Sequence, residues 1–216
     1  MGLPDIDPTP TVLEAILSET TALGFTMASE PKTGALLAAL AAGKPAGRLL
    51  ELGTGTGIGS AWLLSGMDAD SHLDTVDTDP TVVAVARRHL GTDSRVTFHV
   101  MDGARFIGQS AAGQFDLIYA DAWPGKFTHL DETLSLLRLG GIYFIDDLLP
   151  QSNWPEGHAA KVPALIDAIE RRPGFVTVKL SWASGLMLAV RTREPSRLTT
   201  AEPAEDIRSS NRRPPG

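Results

Sequence analysis

The spacing of apolar positions changes several times along the chain, and each change marks an element. In "TVLEAILSETTALGF" Val12, Leu13, Ile16 and Leu17 recur at helical spacing, and Gly24 stops the run. "PKTGALLAALAAG" opens on Pro31, is rich in the helix formers Leu and Ala, and ends at Gly43 and Pro45. From there short apolar runs alternate with amphipathic ones. "GRLLEL", "HLDTVD", "RVTFHV", "FDLIYAD" and "GIYFIDD" read as buried strands. Between them a helix is expected to start at about Gly59, and "TVVAVARRHL" and "THLDETLSLLRLG" read as helices. Strand and helix alternating at this distance predict an α/β fold with a parallel sheet and helices on both faces. After Asp147 the Pro-rich, polar loop "LLPQSNWPEGH" leads into a helix from about Ala159 to Arg171. "FVTVKLSW" and "GLMLAVRT", joined at Ala183–Gly185, then predict an antiparallel hairpin closing the sheet edge. Residues 1–10 read as a loose lead-in. The polar, Pro-rich segment from about Arg193 onward has too few large apolar groups to offset the entropy of ordering. The expected division is therefore a folded domain over 1–192 and a disordered tail over 193–216.

Composition narrows the function. The 216 residues suit one domain, and 43% apolar with 21% charged residues is the balance of a soluble globular protein. A net charge of −7 and a pI near 5.2 argue against a nucleic-acid partner, which needs Lys and Arg to neutralise phosphates. The absence of cysteine excludes disulfides, thiolate nucleophiles and zinc–thiolate sites. The start, "MGLPDIDPTP", lacks the basic and apolar regions of a secretory signal, and no apolar run approaches the roughly 18 residues of a membrane span. A cytoplasmic protein with no membrane partner is expected.

The first strand runs into "LLELGTGTGIGS", a turn with four glycines. A dinucleotide site requires G-x-G-x-x-G, but counting from Gly53 the third position is Ile58, and from Gly55 it is Ser60. The pattern is instead acid-x-G-x-G-x-G: Glu51, Gly53, Gly55, Gly57. Glycines let the backbone pass close to a ligand, and the following helix start, with Ser60 in its first turn, can receive a carboxylate. An acid at the strand end suits a cationic group. Those needs are met by S-adenosylmethionine, which brings a carboxylate, an ammonium and a sulfonium where a dinucleotide brings a pyrophosphate. In "TVDTDP" Asp77 ends the next strand about 20 residues further on, where a carboxylate accepts ribose hydroxyls of either nucleotide. In "VMDGARF" Asp102, Gly103 and Ala104 follow the third strand, where adenine would lie. Taken singly these are a glycine turn, a surface Asp and an Asp-Gly turn; in chain order they outline a nucleotide site at the carboxyl edge of a doubly wound sheet.

With these motifs in hand, the chain resembles the class I S-adenosylmethionine-dependent O-methyltransferases of the catechol and caffeoyl-CoA type over about Met27 to Thr192. The resemblance rests on "MASEPKTGALLAAL", "LLELGTGTGIGSAWLL", "TVDTDP", "FDLIYADAW" and "GGIYFIDDLL". It implies a Rossmann-like, doubly wound, seven-stranded sheet of order 3-2-1-4-5-7-6 with strand 7 antiparallel. It makes residues 1–192 the methyltransferase domain. It also implies that Met27 and Ser29 lie over the methionine end of the cofactor, that Asp121 adjoins it, and that a divalent metal sits between the two acidic stretches.

In that topology Asp121 ends the fourth strand, and Asp146 with Asp147 ends its neighbour, the fifth. Three carboxylates form an oxygen-rich site suited to magnesium, or to calcium or manganese, and unsuited to zinc or copper. A cation there would help ionise a phenol, whose pKa is near 10, for in-line attack on the methyl group. The sequence departs from the family twice. Asp146-Asp147 replaces its Asp-Asn, so Asp147 is either a further metal ligand or a cap on the next turn. Pro124 follows Asp121-Ala-Trp123 where the catechol branch has its lysine base; Lys126, two residues on, is either the substitute base or a solvated side chain. Trp123 and Trp154 are either a substrate wall or plain packing, and His129 and His158 read as ordinary residues, with His129 the nearer to a spare base. The expected activity is methyl transfer from S-adenosylmethionine to a hydroxyl of a small aromatic, catechol-like acceptor with a divalent cation. The alternatives are a metal-independent O- or N-methyltransferase, an NAD-dependent oxidoreductase, and a non-catalytic cofactor-binding subunit. The family's frequent dimers make a homodimer a candidate assembly.

Overall fold

The computed structural model describes residues 9–193. Of the tail expected over 193–216 all but residue 193 lies outside that range, as do the first eight residues. In chain order the elements are α1 (Leu13–Leu23), α2 (Pro31–Ala42), β1 (Arg48–Leu52), α3 (Ile58–Gly66), β2 (His72–Asp77), α4 (Pro80–Leu90), β3 (Val96–Val100) and α5 (Gly103–Gln109). They continue with β4 (Phe115–Ala120), α6 (Trp123–Lys126), α7 (Leu130–Ser135), β5 (Leu137–Ile145), α8 (His158–Glu170), β6 (Phe175–Leu180) and β7 (Leu186–Arg191). The seven strands form one sheet of order β3-β2-β1-β4-β5-β7-β6. The pairs among β1 to β5 are parallel, and β7 runs antiparallel to both β5 and β6. This is the expected order, including the reversed seventh strand.

Period-two alternation sorts the central strands into two cores. Leu49, Leu117, Tyr119 and Phe144 face the side covered by α1 to α4; Leu50, Leu52, Ile118, Ala120, Tyr143 and Ile145 face the side covered by α5, α7 and α8. Each fully buried Leu is worth about 1.5–3 kcal/mol relative to leaving it in water, so both faces must be covered for the sheet to persist. Helix starts obey local chemistry. Pro80 occupies the first turn of α4 while the Asp79 side chain accepts the Thr81 N–H at 2.8 Å.

Two elements differ from the sequence reading. The helix expected over residues 128–140 stops at Ser135, and β5 begins at Leu137. Leu134, Leu136 and Leu137 mimic helical spacing, but the Leu136 carbonyl accepts the Phe115 N–H at 2.9 Å, which draws the chain into the sheet. The register then shifts before Leu117 pairs with Ile142, and Gly140 supplies the positive φ, 77°, that the irregularity requires. The Asp102-Gly103 turn is in fact the start of α5, with Asp102 as its N-cap accepting the Arg105 N–H at 2.9 Å. Among the described residues no helix is long and apolar enough to cross a membrane.

Candidate active site

A cavity of about 570 Å³ opens where the carboxyl ends of β1, β2, β4 and β5 meet. Its two halves are built differently.

In the first half the backbone does most of the work. Beyond β1 the Gly53 N–H donates to the Val76 carbonyl at 2.8 Å, so the chain leaves the sheet under restraint. Gly53 then adopts φ 106°, and a Cβ there would stand 2.7 Å from the Asp121 carbonyl oxygen. Gly57 has φ 93°, and its added Cβ would meet Ala86 at 2.7 Å. Gly53, Gly55, Ile58 and Gly59 line the cavity; Gly57 faces α4 instead. Asp77 lines the cavity and fixes the turn, its Oδ2 accepting the Gly55 N–H at 2.8 Å and its Oδ1 the Asp79 N–H at 3.0 Å. Each oxygen keeps a lone pair for a ligand hydroxyl. Met27 and Ser29 line the cavity from the loop between α1 and α2, which Asn153 ties down by donating to the Thr26 carbonyl at 2.9 Å.

Two expected contacts of this half are buried supports. Glu51 is fully buried behind the turn, outside the cavity lining, and accepts from the Ser60 and Thr75 hydroxyls, the latter at 2.6 Å. Ser60 is likewise buried outside the lining and is spent on Glu51. Burial raises the Glu51 pKa from 4.5 to about 7, against the lowering by Ser60 and Thr75. A carboxyl with a folded pKa above its unfolded one keeps its full stabilising contribution below pH 4.5 and loses it as pH rises through 7. Glu51→Gln should therefore match wild type in urea melts near pH 4 and be more stable by about 3 kcal/mol at most near pH 8. A stability difference independent of pH would show that Glu51 does not titrate in this range. Asp102, Gly103 and Ala104 also stand outside the lining: Asp102 caps α5, and Gly103 abuts Pro124, 3.1 Å from where its Cβ would be.

The second half carries the charges. Asp121, Asp146 and Asp147 each bring a carboxylate oxygen within 4.8 Å of the others. Asp147, at φ 55°, joins this cluster, and its N–H donates to the Ser184 hydroxyl at 3.2 Å. Lys126 is buried, 3% exposed, and its Nζ lies 3.3 Å from Asp146 Oδ1; it is no surface residue. The local sequence turns it inward. Pro124 (φ −63°, ψ 127°) and Gly125 (φ 93°, ψ −19°) have the dihedral angles of a type II turn, with the two residue types that turn prefers. The Tyr143 hydroxyl donates to the Gly125 carbonyl at 2.6 Å and pins it. Desolvation and then the Asp146 charge hold the Asp121 carboxyl well above its ordinary range, opposed by Lys126. Asp147 is pushed up to about 6 by desolvation and then by Asp146. With all three ionised, the carboxylates facing one ammonium leave a local deficit of two positive charges. The hard oxygen donors and that deficit both fit a divalent cation.

Tyr119 went unnoticed in the sequence. Its hydroxyl donates to Asp146 Oδ2 at 2.8 Å, so the Ser29 hydroxyl, 3.1 Å away, donates to it. Trp123, Phe127, Trp154 and His158 line this half. His158 stacks on Trp154 at 4.4 Å and donates from Nε2 to the Asp147 carbonyl at 3.1 Å. Burial lowers its pKa, so it is held neutral. His129 lies outside the lining, before α7, which reverses the expected ranking of the two.

A glycine turn on β1, an acid after β2 and a reversed seventh strand define the Rossmann-like methyltransferase fold. Residues 50–148 match a family described as a methyltransferase domain. A Mycobacterium marinum protein assigned as an O-methyltransferase is 31% identical over 171 residues, 74% of this chain and 76% of its own. One from Mycolicibacterium vanbaalenii is 35% identical over 119 residues, and there the match spans about half the relative's length, 53%. The crystal structure of the O-methyltransferase TomG from Streptomyces achromogenes, in complex with S-adenosylmethionine, superposes with a TM-score of 0.74 at 21% identity, over 86% of this chain and 92% of that one. The chain belongs to the class I S-adenosylmethionine-dependent O-methyltransferase family.

Proposed function

We propose that this protein transfers the methyl group of S-adenosylmethionine to a hydroxyl of a small aromatic, catechol-like acceptor, with a divalent cation held by Asp121, Asp146 and Asp147. The observation that carries the reading is one cavity with a glycine-lined nucleotide half and, facing it, an acidic half walled by flat rings. The cofactor fits the first half because Gly53, Gly55 and Gly59 line it without side chains and because Asp77 retains free lone pairs. When bound, a divalent cation in the second half supplies positive charge that lowers the pKa of a hydroxyl oxygen. Trp123, Trp154 and Phe127 orient a planar acceptor, Met27 and Ser29 exclude water, and Lys126, after its ammonium gives up one proton to solvent, is the base that takes the hydroxyl proton. The acceptor oxygen then attacks the methyl group in line with the departing sulfur, and no covalent enzyme intermediate is needed. A small-molecule acceptor and a cytoplasmic location complete the reading, consistent with the charge of −7.

The test is calorimetric titration of magnesium into protein saturated with S-adenosylmethionine, followed by methyl transfer to a panel of vicinal diphenols with and without chelator. One equivalent of magnesium and chelator-sensitive transfer are expected. A metal-independent version is favoured by a single observation, the Lys126 ammonium already beside Asp146. Transfer undiminished by chelator would select it.

A further inference from the structure

Asp146 has both oxygens engaged: Oδ2 accepts from Tyr119 at 2.8 Å, and Oδ1 faces Lys126 Nζ at 3.3 Å. Resting on the metal-assisted reading above, we infer that the Lys126 ammonium is a resident counter-cation that a divalent ion must displace from Asp146. Metal binding and release of the Lys126 ammonium from Asp146 are then one linked event.

Several observations carry this. The ammonium and the Asp146 carboxylate are each only 3% exposed, so water screens them little and neither is easily left alone. The same ammonium bears on Asp121 and Asp147, so it is the resident charge of the whole cluster and not a partner of one residue. Its separation from Asp146 exceeds the 2.7–2.9 Å or so of a tight charge-assisted hydrogen bond. Tyr119 donates to Oδ2 while Lys126 stands at Oδ1, so a second cation brought to this carboxylate lies beside the ammonium and is repelled by it. Lys126 is also tethered by the short Pro124-Gly125 turn, which Tyr143 pins at its backbone. Once displaced, the ammonium stays within the cavity that Lys126 lines. By linkage, whatever weakens the hold of Lys126 on the carboxylates strengthens that of the metal by the same factor.

The test is binding of manganese chloride alone to the full chain, read from the electron paramagnetic resonance signal of free Mn²⁺. Wild type, Lys126→Met and Lys126→Arg would be compared. Removing the charge should tighten Mn²⁺ binding about tenfold or more, while Lys126→Arg stays close to wild type. In thermal melts Lys126→Met should lose stability without metal and regain it with Mn²⁺, a recovery that a merely structural lysine would not produce. If Lys126→Met does not fold, Lys126→Gln, which can still donate to Asp146, replaces it in both measurements. Equal or weaker Mn²⁺ binding in the uncharged variant overturns the inference and leaves the metal reading standing. Absence of Mn²⁺ binding from both proteins overturns the two together.

Discussion

Asp121→Asn is expected to lower methyl transfer roughly a thousandfold while leaving S-adenosylmethionine affinity within about a factor of two. The asymmetry follows from where Asp121 stands. It directly follows β4, with its N–H donating to the Leu52 carbonyl at 2.8 Å, so its backbone is still tied to the sheet and an Asn keeps that bond. Its carboxylate belongs to the acidic half, whereas the glycine turn and Asp77 lie in the other half and are untouched. With one charge removed, Asp146 and Asp147 face Lys126 with a deficit of one positive charge instead of two, and the pull on a divalent ion falls accordingly. The fold should tighten. Asp121 is desolvated and repelled by Asp146, so neutralising it relieves a buried like-charge contact and the melting temperature should rise. Radiolabelled methyl transfer, calorimetry with S-adenosylmethionine and thermal melts together check the claim. Loss of transfer and of cofactor binding at an unchanged melting temperature would put Asp121 in the cofactor half and refute the assignment.

How much of this was legible in the sequence depends on whether a signal was local. The strands were, because burial on both faces leaves short apolar runs such as "LLEL" and "FDLIYA" bounded by turn residues, and that pattern needs no knowledge of neighbours. The boundary between α7 and β5 was not, because three closely spaced leucines satisfy either period and only pairing with Phe115 decides. Asp121, Asp146 and Asp147 could be grouped because adjacent strand ends are a matter of topology. Glu51 could not be separated from the cavity in that way. It points toward α3, where Gly59 leaves room for its carboxylate, and only the packed helix shows that Ser60 and Thr75 take it. Lys126 carried an unused signal: Pro-Gly is the signature of a type II turn, and such a turn re-aims the residue that follows it. Tyr119 was also within reach, since alternation along β4 puts it on the face of Asp121 two residues later. His158 had no such mark. Its place beside Trp154 and the Asp147 carbonyl is set by how α8 packs.

Gly53→Ala should be the most damaging single-methyl change in the nucleotide half, lowering cofactor affinity about thirtyfold or more and stability by about 2–4 kcal/mol. Two costs combine there. The conformation, φ 106°, is one that side chains rarely adopt, worth about 1–3 kcal/mol by itself. The added methyl would also stand 2.7 Å from the Asp121 carbonyl oxygen and 3.0 Å from its carbon, and backbone cannot swing aside as a side chain would. Relief is blocked from both directions, because the Gly53 N–H is held by Val76 and the Asp121 N–H by Leu52. Whatever moves therefore displaces either the glycine turn proposed to cradle the cofactor or the segment after β4 that carries Asp121. Gly24→Ala separates the two costs. Gly24 has φ 71° at the end of α1, but nothing lies within 4 Å of its added Cβ, so about 1 kcal/mol of stability and no cofactor affinity should be lost. Calorimetric titration of S-adenosylmethionine and urea melts on both variants give the comparison. If both lose stability equally and keep affinity, the glycine at 53 serves backbone conformation alone; if only Gly53→Ala loses affinity, close packing of β1 against β4 is what builds the cofactor half.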